Sequence, residues 1–164
     1  MHPAIRALSS PFVYLVTKAI NSWVSKLKPH ELAFQNFGIR IVAEKEDGTR
    51  DNHEEAYTAL ILLSEHEEVA FELVKKHIKT IYFFNSWKPR NGYVQLGKIC
   101  FLDIRKFSNS WPGTLPITIA GLLVYFATLT ELELLRSKND TERKKFADTQ
   151  QDRVVSKLQN FLRE

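Results

Sequence analysis

Cysteine is nearly absent from this chain. Cys100 stands alone among 164 residues. That excludes an internal disulfide, a cysteine-based zinc site and the small stapled secreted domain that depends on either. Glycine and proline are scarce too, at six each, which excludes collagen-like and low-complexity chains. Neither sign of charge dominates. Lys plus Arg number 23 and Asp plus Glu 19, a net of +4. The basic residues are scattered over Lys18, Lys26 and Lys28, then Lys75, Lys76 and Lys79, then Arg143, Lys144 and Lys145, with acids among the last two groups. A nucleic-acid binder gathers its charge on one face, so nucleic acid is not an expected partner. No apolar core of about 7–15 residues opens the chain, so no secretory signal is expected and the cytoplasm is the expected compartment. Long hydrophobic runs are missing except in the uncharged stretch 107–130. Its apolar part, 115–129, would reach about 22 Å as a helix, short of the ~30 Å hydrocarbon core. A buried core helix is the expectation there.

What is present is an ordinary globular composition. Hydrophobic residues make up 44% and charged residues 26%, enough for one domain spanning 1–164. Ser10-Pro11 opens a helix. Phe12, Leu15, Val16, Ile20, Trp23, Val24 and Leu27 follow at steps of three and four, which predicts an amphipathic helix over 11–28 closed by Pro29. Lys18, Lys26 and Lys28 on its polar side admit a membrane-surface or partner-binding role. Packing on the chain's own domain is the plainer reading.

Residues 37–43 read as a strand and Glu46-Asp47-Gly48 as a turn. Helices follow over about 51–63 and 67–79. Thr80–Phe84 reads as a buried strand. Residues 93–96 and 98–104 form a hairpin around Gly97. Asn109 to Thr114 is a loop, and a long apolar helix runs from about 117 to 135. Asp140 or Thr141 caps a last helix. The fold class is α+β, with helices around a small antiparallel sheet.

Catalytic spacing is weak. Two imidazoles bind one metal from a helix when they stand four apart with a Glu between them. His53-Glu54-Glu55-Ala56-Tyr57 starts that pattern and ends in Tyr. His66-Glu67-Glu68-Val69-Ala70 ends in Ala. Both read as exposed residues at helix starts, where acids favour the dipole. Cys100 lies in an apolar strand and reads as a small core residue.

The stretch Ala120-Gly121-Leu122-Leu123-Val124-Tyr125-Phe126-Ala127-Thr128-Leu129 resembles the active-site helix of zincin-like metallopeptidases, where such an apolar lead-in runs into His-Glu-Ala-Thr-His. The resemblance covers about 55–164, with a Cys-containing strand and a loop before the helix and an acid- and Arg-containing helix after it. It implies a zincin-like fold in which the long buried helix precedes a C-terminal helix. It also places the two zinc ligands at Tyr125 and Leu129 and the general base at Phe126. Ala127 and Thr128 are kept. A third ligand of this type would be a downstream acid, with Glu131, Glu133, Glu142 and Asp148 as candidates. A Tyr binds metal only as a costly phenolate, and Leu and Phe offer no lone pair.

The expected function is therefore a non-catalytic, pseudo-metallopeptidase scaffold or binding protein with no cofactor and an unidentified protein or peptide partner. Its former cleft would be lined by Trp111, Tyr125, Phe126, Leu129 and Phe146. One alternative is an active metal-dependent hydrolase with an atypical zinc ligand set, such as Tyr125 with Glu131 or Glu142 and one His. The other is a membrane-associated or helix-binding module using 11–28 and 117–135.

Overall fold

The computed structural model describes residues 18–19, 22, 29–43, 50–84, 91–103 and 114–163. The expected helix over 11–28 lies outside these residues apart from Lys18, Ala19 and Ser22, as do the loop 109–113 and Trp111. In chain order the elements are α1 (Glu31–Phe37), β1 (Arg40–Ala43), α2 (Arg50–His66), α3 (Glu68–His77), β2 (Thr80–Phe84), β3 (Gly92–Val94), β4 (Ile99–Asp103), α4 (Leu115–Leu134) and α5 (Asp140–Phe161). This is an α+β fold.

The sheet is mixed, which corrects the antiparallel expectation. Its strand order is β1-β2-β4-β3. β1 and β4 both run parallel to β2, and only β3 is antiparallel to its neighbour β4. The helices α2 and α3 form the crossover from β1 to β2. Four of the five residues of β2 are buried, the continuous apolar run of a strand covered on both faces. Side chains alternate across the pleat. Ile41, Ile81 and Cys100 lie in register on one face and join the main core. Val42, Tyr82 and Ile99 form a smaller cluster on the other, flanked by Phe84 and Phe101.

Element bounds shift from expectation where caps decide them. The strand expected over 37–43 starts only at Arg40, because Phe37 ends α1. That helix was not legible as apolar spacing. It is one short segment capped by His30 and closed by Gly38 in the left-handed region at φ 67, where glycine carries no Cβ penalty. At the other end of the chain Asn139, rather than Asp140 or Thr141, caps α5. Asn139 accepts from the Glu142 amide at 2.9 Å, and Glu142 accepts from the Asn139 amide at 3.3 Å. This is a reciprocal capping box.

Helix α4 holds the helical layer together. It packs on α2, α3 and α5, so apolar residues surround it rather than forming one stripe. Ile119, Ala120, Leu123 and Ala127 are fully buried. Thr130 returns its hydroxyl to the Phe126 carbonyl at 2.8 Å, and Thr118 to that of Thr114 at 3.1 Å. The helix has 20 residues, longer than expected, and is long and apolar enough to cross a membrane. Yet 56% of its most apolar window is buried against the rest of the chain.

Candidate functional site

Positions 125, 129 and 133 are one turn apart and share a face of α4. Positions 140, 144 and 148 do the same on α5. Gly121 of α4 lies against Gln151 and Val155 of α5, while Tyr125, further along α4, feels the charges of Asp148, Lys144 and Asp140, earlier on α5, so the helices run antiparallel and the 140, 144 and 148 side borders their seam. Tyr125 is half-buried there. Burial raises its phenol above the ordinary value, the negative charge of Asp148 adds to this, and Lys144 works against it. Lys144 donates to Asp140 at 2.7 Å. That bond, with the charges of Asp140, Tyr125 and Glu133, holds its ammonium above the ordinary lysine value against a smaller opposing effect of burial. The edge of the seam thus carries a half-exposed cation near a neutral phenol.

The residues expected to line a cleft go different ways. Phe126 meets Tyr125 edge-on at 5.3 Å between ring centroids but stacks on Tyr93 of β3 at 6.4 Å. Leu129 is half-buried. Phe146 is 40% exposed on α5, beneath the Lys138 ammonium at 5.6 Å. Trp111 lies outside the described residues.

The candidate metal ligands are dispersed. Glu131 sits about 120° around α4 from Tyr125. It accepts both 2.8 and 2.9 Å bonds from Lys76 and lies 2.5 Å from His77 Nε2. The Lys76 bond holds its carboxyl below the ordinary value, against burial and with help from His77. Glu142 is engaged in the capping box. Glu133 stays on the Tyr125 side, and Asp148 is exposed. Among the described residues no three His, Cys, Asp or Glu side chains gather as a metal site. A zinc ion held as in a His-Glu-x-x-His helix does not fit the seam. The Tyr125 phenol is shifted away from the phenolate that would bind metal, Phe126 and Leu129 carry no donor atom, and a lysine ammonium stands opposite.

Two polar clusters were missed from sequence. Glu67, expected to be exposed, is only 5% exposed. It closes the α2–α3 corner and pairs with Lys157 at 2.6 Å and Arg153 at 2.9 Å from α5. Burial acts to raise its carboxyl, but the Lys157 bond and the Arg153 charge outweigh it and the carboxyl lies below its ordinary value. The signal available was the pair Arg153 and Lys157, spaced four apart on α5. His77 is 3% exposed beside Glu131, and the Tyr93 hydroxyl donates to its carbonyl. Burial pushes the Tyr93 phenol up to about 12, although a Thr130 bond opposes this. Beneath it Cys100, the register partner of Tyr93, is fully buried and its thiol is raised by that burial, so it is no nucleophile.

Compared with protein-family models, curated proteins and solved structures, the chain matches none.

Proposed function

We propose that this chain is a zincin-like domain whose metal site has been replaced by packing, with a half-exposed ion pair at its edge, and that it serves as a non-catalytic scaffold or binding protein in the cytoplasm. The observation that carries the reading is the α4–α5 seam. A catalytic zinc site takes three good protein ligands and an open position. The seam instead has Tyr125 and Leu129 at the ligand positions of the resemblance, Phe126 at the base position, and the Lys144–Asp140 pair across from them. That ammonium adds positive charge near Tyr125 without offering a Lewis-acidic coordination site.

The test is metal content by mass spectrometry on protein purified without a metal-affinity tag, with melting temperatures taken with and without a strong chelator. The expected result is far less than one zinc per chain and an unchanged melting temperature. One tightly bound zinc per chain with a chelator-induced drop would overturn the reading.

A further inference from the structure

His30 is bonded on both ring nitrogens, and each bond constrains where its proton sits. Nδ1 accepts the Ala33 backbone N–H at 3.2 Å and so carries no proton itself. The single proton of the neutral ring is therefore on Nε2, which donates to Glu54 Oε1 of α2 at 3.1 Å. The residue is also fixed to the sheet, because its own backbone N–H donates to the Ile41 carbonyl at 3.0 Å. Its ring lies 4.9 Å from that of Tyr57, whose hydroxyl receives the Asn36 amide from α1 at 2.8 Å. One residue thus joins α1, β1 and α2, the strand through its backbone and the two helices through its ring.

We propose that His30 is a proton-operated cap: neutral, it caps α1 at the Ala33 amide and ties it to α2, and protonated, it keeps Glu54 and gives up that cap, loosening the first turn of α1. The chemistry is one of donor and acceptor. A second proton turns Nδ1 from an acceptor into a donor, and two N–H groups then face each other where the cap was. The Nε2 bond to Glu54 survives and gains charge. The usual capping residues are Ser, Thr, Asp and Asn. Of these Ser, Thr and Asn keep an acceptor at every pH, whereas a histidine gives its acceptor up once the ring takes a second proton.

The titratable groups facing the ring are Glu54, His53 and Tyr57 on α2, with Glu31 beside it at the start of α1; β1 contributes the Ile41 carbonyl. His53 Nε2 is buried with no hydrogen-bond partner among the described residues. Burial already favours the neutral form of His53, and a charge on His30 favours it further, so the two rings do not charge together. Loss of the cap reaches the interior, because Ala33 is fully buried in the main core.

The experiment uses the full chain labelled with nitrogen-15. The His30 ring nitrogen shifts and the Ala33 amide exchange rate, corrected for intrinsic pH dependence, are followed from about pH 8 to about pH 5. Protection at Ala33 is expected to fall about fivefold, in step with protonation of His30 Nδ1. His30→Asn keeps an acceptor that does not titrate, and its Ala33 protection is expected to stay flat. Wild-type protection that does not follow the His30 titration would overturn the proposal. So would an H30N chain that loses Ala33 protection in parallel with the wild type.

Discussion

At the scale of single residues, Gly121 marks a close approach of α4 and α5. A Cβ built on it would lie 2.6 Å from Val155 Cγ2 and 3.2 Å from Gln151 Cγ. Valine is stiff at χ1, so relief requires the helices to part. Replacing a helical Gly by Ala gains up to about 1 kcal/mol of propensity, while overpacking costs about 1–3 kcal/mol. Gly121→Ala is expected to destabilise the chain by about 1 kcal/mol in urea denaturation, with Val155→Ala in the same chain recovering part of the loss. A stabilised G121A would mean the seam is looser than the contact implies. Gly121 stood out in the sequence only as part of an apolar lead-in. Its neighbour across the seam is more than thirty positions away, and no local pattern announces such a contact.

At the scale of elements, boundaries follow from side chains that close helix ends. The four residues Asn139-Asp140-Thr141-Glu142 carry the capping pattern, an Asn with a Glu three positions on, so this start was legible although one residue was misassigned. Asn139→Ala is expected to cost about 1 kcal/mol, with Asn139→Ser close to wild type in the same thermal melt. Equal losses for both variants would sink the cap as the cause. Helix α1 was not legible, because seven residues give too few turns for a periodicity to show and its cap is a histidine. The long helix α4 was legible as buried from its uninterrupted apolar content. Its neighbours were not, since an all-apolar helix points in no particular direction.

For the whole molecule, acid stability integrates the buried ionisable groups. Burial, and the charge of His30, lower His53 below its ordinary value of 6.5, against a smaller pull from Glu54. The unfolded chain then binds a proton that the folded chain refuses, so stability falls as pH drops below about 6.5. The carboxyls of Glu67 and Glu131 lie below their ordinary value of 4.5 in the folded chain. Their contribution is present above about 4.5 and is lost as pH falls through the folded values. Melting temperature is therefore expected to decline in two stages on acidification. Glu67→Gln should flatten the lower stage. The Glu67 partners are 48% and 59% exposed, which moderates the effect relative to a fully buried pair. An E67Q chain with the wild-type acid profile would remove Glu67 from this account.

The sequence by itself determined what depends on near neighbours. Composition excluded internal disulfides, and periodicity and β-branched runs placed most helices and strands. The tertiary structure alone decided what depends on distant partners. It made the sheet mixed, since strand direction is set by how α2 and α3 cross over the sheet. It buried Glu67 beneath two cations 86 and 90 positions away. It also set Lys144 opposite Tyr125. Hydrogen bonds and charges act over a few ångströms of space, and separation along the chain carries almost no information about which groups will share them.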